Sequence, residues 1–138
     1  MTLFKNTIRC VAGNPAVTTM SGAAKAQIGP PAEYGGRPDT LNPEELFVAS
    51  INSCLMLVFY HFAEKSGLDI QQYDAQAEAT VEKTRNGLRF TRVDVHAHVK
   101  AEATDVAGKL QRLADLAERF CLVSNSVNCP VSYKVDAA

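Results

Sequence analysis

Residues 42–63 read NPEELFVASINSCLMLVFYHFA, and this stretch decides the fold. Asn42 can cap a helix, Pro43 fits the first helical position, and Glu44 and Glu45 suit its electropositive end. From Leu46 to Ala63 the residues are apolar on nearly every helical face, which in a globular chain marks a helix packed on all sides. Ser50, Asn52, Ser53 and His61 interrupt the run, and the unbroken apolar part is too short to span a bilayer. Gly67 supplies the stop. The expectation is therefore a long central buried helix.

Upstream, residues 29–41 read GPPAEYGGRPDTL, with proline and glycine too dense for a helix or central strand; this is an exposed loop, and it carries Arg37. Before it, Leu3 to Val11 and Ala16 to Met20 are β-prone runs broken by Gly13-Asn14-Pro15 and Ser21-Gly22, which gives two or three strands. Downstream, Ile70 to Glu82 and Arg89 to Lys100 alternate apolar with polar residues, and Asn86-Gly87 between them signals a hairpin. Thr104 to Phe120 places Val106, Leu110, Leu113, Ala114 and Ala117 at helical spacing, and Pro130 to Val135 reads as a closing strand. The order predicts an α+β fold: strands around a long central helix, then a β-hairpin, a second helix and a last strand.

The 138 residues suit one domain spanning 1–138. A hydrophobic fraction of 46% against 21% charged is ordinary globular composition and argues against extended disorder. Fourteen basic residues against fifteen acidic ones leave a net charge of −1 and no basic footprint for nucleic acid. The start, MTLFKNTIRC, has no secretory pattern, so a cytoplasmic protein is expected, with neither nucleic acid nor membrane as partner.

Cysteines stand at 10, 54, 121 and 129, without a C-x-x-C pair. In a reducing compartment each is either a small buried hydrophobe or a reactive thiol. Cys54, on the central helix, reads by position alone as inert core. Cys121, at the end of the second helix and ahead of Ser124-Asn125-Ser126, changes that balance. Two thiols brought together can cycle between dithiol and disulfide, and a resolving thiol can capture the sulfenic acid that a peroxide leaves behind.

The string N-P-E-E-L-F-V-A-S-I-N-S-C, Asn42 to Cys54, resembles the signature of the OsmC/Ohr superfamily, in which a cysteine follows the helix-opening Glu by ten residues. C-L-V-S-N-S-V at Cys121 is similar to the family's second cysteine segment, with Leu122 where proline is usual. Cys129-Pro130-Val131-Ser132 copies the four-residue string more closely, but only nine residues follow it, so spacing favours Cys121 and leaves Cys129 to open the last strand. The resemblance implies a peroxidatic Cys54, a resolving Cys121, and completion of the site by Arg37 and Glu44. A cysteine in mid-helix gains nothing from the helix N-terminus, so a guanidinium is needed to stabilise its thiolate, and a carboxylate can hold that guanidinium by a bidentate pair.

Ten helical residues separate Glu44 from Cys54 by about 15 Å along the axis. If Arg37 and Glu44 serve Cys54, the simplest arrangement is an intertwined homodimer with the active site shared between chains. The function so implied is a peroxiredoxin-like, thiol-dependent peroxidase acting on organic hydroperoxides, recycled by a small dithiol or a dihydrolipoyl protein, with no cofactor. Phe47, Leu55, Met56 and Phe59 could line its pocket, although core packing is their default. The alternative is a non-catalytic member of the same fold, a stress-associated binding module. A cysteine hydrolase is weaker, because His61 lies too far from Cys54 and reads as a core or interface histidine. His96 and His98 share a strand face without an evident third ligand and read as solvated, so no metal is expected. Cys10 reads as packed.

Overall fold

Asn42 opens the long helix as its residue type demands: its Oδ1 accepts the Glu45 backbone N–H at 2.7 Å. In the computed structural model, which describes residues 1–138, this helix, α1, runs unbroken from Pro43 to Lys65. Gly67, with φ +71°, ends it, and Leu68 N–H closes on Ala63 O at 3.0 Å. Two compact units divide the chain, Met1–Phe47 and Val48–Ala138.

The first unit carries an antiparallel meander of β1 (Asn6–Arg9), β2 (Ala16–Met20) and β3 (Lys25–Ile28). The loop after β3 is tied back to it by Gly29 N–H to Leu41 O (2.8 Å) and Leu41 N–H to Gln27 O (3.1 Å). A one-turn 3-10 helix, Ala32–Tyr34, sits inside that loop. Gly36 packs so tightly there that a Cβ would overlap Pro30 O at 1.7 Å. No apolar side chain of residues 1–47 is buried; Thr18 and Asn42 are the buried residues of this unit.

The second unit is built on β4 (Ile70–Thr84), β5 (Gly87–Ala101), α2 (Val106–Phe120) and β6 (Val131–Ala137). β4 and β5 form the hairpin, and β6 returns through α2 to lie parallel beside β5, giving the order β4-β5-β6. The turn residues are Arg85 and Asn86, with Gly87 at φ +94° already paired to Thr84; the asparagine-glycine signal holds, shifted by one residue. Val93, Val95, Ala97 and Val99 of β5 alternate inward as their spacing predicts and are buried, as are Leu110, Leu113, Ala114 and Ala117 of α2.

From Val48 onward α1 contributes one buried stripe to this core: Ile51, Leu55, Phe59 and Ala63, four residues apart. Phe59 packs at 5.6 Å from the Tyr73 ring and edge-on to Tyr133 at 6.4 Å, while Phe62 meets Phe120 at 5.5 Å. Leu57 and Tyr60 face outward, so within one chain the helix is covered on one side and not all round. By length and composition α1 is apolar enough to cross a bilayer, despite its interruptions, because Ser and Asn cost less there than charges.

Candidate active site

Cys121 ends α2 because its backbone leaves the helix (φ −73°, ψ 110°), and its side chain is fully buried. The turn that follows is held by Asn125, whose Nδ2 donates to the carbonyls of Glu118 (3.1 Å), Arg119 (3.1 Å) and Cys121 (2.8 Å), satisfying α2's orphan acceptors. Ser126 Oγ donates to Leu122 O at 2.7 Å, and the Ser124 N–H points at the Cys121 sulfur at 3.5 Å. The small polar run after Cys121 is thus a clamp on the turn. The polar run is visible in the sequence, but the role of Asn125 is not, since a side chain's reach back to three carbonyls is a property of the folded turn.

This turn delivers Cys121 to Cys54. The Cys54 thiol, half-buried on α1 beside Leu55, has the Cys121 thiol and the backbone N–H groups of Val123 and Leu122 as its electrostatic neighbours. Burial pushes the Cys54 thiol above its ordinary value; the two N–H groups pull the other way, and the neighbouring Cys121 adds to the rise. The upshot within one chain is a protonated thiol in contact with a second thiol. Leu122 matters here, since a proline at that position would have no N–H to offer.

Arg37 stands in the loop of the first unit, where its guanidinium grips Asp39 with Nε at 3.0 Å and Nη2 at 2.5 Å. The pairing holds the exposed Asp39 carboxyl below its usual value. Thr40 fixes the Arg37 backbone, its Oγ1 donating to Arg37 O at 3.0 Å. Glu44, in the first turn of α1, has one carboxylate oxygen, Oε2, buried without a hydrogen-bond partner. The structure brings Cys54 and Cys121 together; Arg37 and Glu44 belong to the other unit.

Three smaller expectations need correcting. Cys10 is exposed, not packed, because β1 has no layer over it within its unit. His61 is exposed as well, lying off the buried stripe of α1 with its ring edge-on to Phe62 at 5.2 Å, which removes the core reading and leaves the interface one. Leu55 and Phe59 are fully buried core, which is their default reading, so they line no open pocket. A cleft of about 500 Å³ does lie along α1, lined by Leu57, Tyr60, His61, Glu64 and Leu68 among others, but neither thiol borders it. The third concerns His96 and His98, which do have a carboxylate neighbour: Asp136, from β6, reaches His96 Nε2 at 2.7 Å. Cys129 lies in the bend ahead of β6, half-buried.

Comparison with known proteins places this arrangement in context. The sequence profile of the OsmC-like protein family matches residues 36–136. The uncharacterised protein YmaD of Bacillus subtilis is 24% identical over 129 residues, covering 91% of this chain and 85% of that protein. Among solved structures, an OsmC-like protein of unknown function from Vibrio cholerae superposes with a TM-score of 0.88 at 23% identity, covering 99% of this chain and 100% of that one. An organic hydroperoxide resistance protein from Legionella pneumophila gives 0.75 at 21% identity, covering 100% and 98%. At such identities the structural likeness carries the fold, an α+β architecture common to all three chains.

Proposed function

The chain belongs to the OsmC family, and from that premise we propose that it is a thiol-dependent peroxidase reducing organic hydroperoxides. The observation that carries the reading is the meeting of Cys54 and Cys121, two thiols far apart in sequence that the fold makes electrostatic neighbours. The Cys54 thiolate attacks the terminal peroxide oxygen and breaks the O–O bond; the alcohol leaves with a proton and Cys54 becomes a sulfenic acid. The Cys121 thiol then displaces water from that sulfenic acid to form the Cys54–Cys121 disulfide. An external dithiol, small or carried on a dihydrolipoyl protein, reduces the disulfide and is itself oxidised. The chemistry needs no cofactor and implies a reducing, cytoplasm-like compartment.

In this reading Arg37 and Glu44 of one chain serve the thiols of a second copy. Glu44 Oε2, buried with no partner, is an acceptor suited to a guanidinium, and α1 is continuous, so about 15 Å of helix separates Glu44 from Cys54 of its own chain. The absence of any buried apolar residue in Met1–Phe47 and the bare outer side of α1 also favour a homodimer as the occupant, with the bilayer as the competing one. Arg37 would exchange Asp39 for the partner's site.

The test is mass spectrometry after one equivalent of an organic hydroperoxide. A Cys54–Cys121 disulfide, absent in Cys54→Ser and replaced by a Cys54 sulfenic acid in Cys121→Ser, is the expected result. Thiols that remain inert would end the proposal and leave the second reading, a binding module without a redox cycle. One observation favours that module: within a single chain the Cys54 thiol is pushed up and Arg37 is engaged by Asp39.

A further inference from the structure

Two of the chain's three histidines stand side by side on β5, at alternate positions and therefore on one face of the sheet. Their rings lie 4.4 Å apart at 42°. Parallel pairing sets Asp136 of β6 opposite His98, and its carboxylate meets His96 Nε2 at 2.7 Å. One ligating atom from each of His96, His98 and Asp136 lies within 4.8 Å of the others. All three are borne on strands rather than loops, and the registers that place them run unbroken from Val93/Val131 to Val99/Ala137.

We propose that His96, His98 and Asp136 bind one divalent transition-metal ion of the zinc class, on the sheet face away from the apolar core and independent of the thiol pair. Two imidazoles and a carboxylate are a donor set that such ions take, with the fourth position left to water. Around a tetrahedral ion with bonds of about 2.0–2.2 Å, ligand atoms stand about 3.3 Å apart. His96 and Asp136 must open slightly from 2.7 Å, and any adjustment of His98 is confined within the 4.8 Å that encloses all three atoms, which partly exposed side chains can meet by small χ rotations while the strands stay fixed.

The groups facing the site divide. Asp74 of β4 stands opposite His98, where Gln72 Nε2 donates to it at 2.6 Å, and adds a second negative charge on that flank. Lys134, opposite His96, places its Nζ 3.6 Å from Asp136 Oδ2 and competes for it. Its side chain is 70% exposed and can turn to solvent without losing a buried contact. The ionised Asp136 carboxylate only accepts, so His96 Nε2 carries the proton that they share; the ion takes that nitrogen, and the proton moves to Nδ1 or to water.

The test is a cobalt(II) titration of the full-length protein, followed in the visible for tetrahedral d–d bands and in the near ultraviolet for thiolate-to-cobalt charge transfer, with zinc(II) as competitor. Visible bands saturating at one ion per chain, without the thiolate band, are expected. His98→Ala and Asp136→Asn should each weaken binding by at least the roughly tenfold that loss of a mere outer partner costs, and Lys134→Gln should tighten it. Thermal unfolding of the metal-free variants checks that they fold. Absence of d–d bands at millimolar cobalt, affinity unchanged in both ligand variants, or a spectrum dominated by the thiolate band would each overturn the proposal.

Discussion

Burial acts on Cys54 and on two facing tyrosines in one direction. Tyr73 and Tyr133 share a hydroxyl–hydroxyl hydrogen bond of 2.6 Å beside Phe59, and desolvation leads the rise of both above the ordinary 10.0, as it does for Cys54 above 9.0. The unfolded chain therefore loses these protons at lower pH than the folded one, and above about pH 9 folding stability must fall as pH rises. Urea unfolding from pH 8 to 11 should show that fall, and Tyr133→Phe should flatten its upper part; a stability that climbs over this range would contradict the assignment. Gly36 offers a second test at this scale. A methyl group there collides with the Pro30 carbonyl, so Gly36→Ala should cost more than the roughly 1 kcal/mol by which ordinary glycine positions differ from alanine, measured by denaturant unfolding. Among single residues, the cap at Asn42 and the stop at Gly67 were legible because local chemistry alone determines them. Asn125 and Asp136 were not, because their partners are set by a turn and by a strand register.

Between elements, the segment leaving α2 carries the departure from the family pattern. Leu122 in place of proline supplies a backbone N–H that favours the Cys54 thiolate and so works against the rise caused by burial. Leu122→Pro should remove that donor and push the Cys54 thiol higher still, shifting the pH profile of its alkylation by iodoacetamide to more alkaline values; an unchanged profile would show that the N–H contributes nothing. The expectations for the elements themselves held where periodicity was strong. β4 and β5 alternate over their whole length, and α2 buries the apolar positions read from its spacing. α1 was the exception. Its sequence is apolar on every side, but one chain can cover only the stripe that meets its own sheet and second helix, so all-round apolarity records a requirement that one copy does not meet.

For the molecule as a whole, that unmet requirement is the strongest argument for a second copy. Light scattering during size exclusion should give about twice 14.9 kDa, and Leu57→Lys, on the outward side of α1, should lower that mass and slow the peroxide reaction together. A monomer of full activity would remove Arg37 and Glu44 from the site. The fold class and the family were readable from residues 42–63 and the segment after Cys121.

The parallel pairing of β6 beside β5 has a consequence for how the carboxyl end tolerates trimming or fusion. β6 supplies Tyr133 and Val135 to the core and shields β5, whose valines would otherwise border an open sheet edge. A chain cut before Pro130 would keep both helices and the hairpin, yet present a long, unpaired, valine-rich rim to its neighbours. Such a truncate should collect in inclusion bodies, whereas an extension beyond Ala138, past the last paired residue, should leave solubility unaltered.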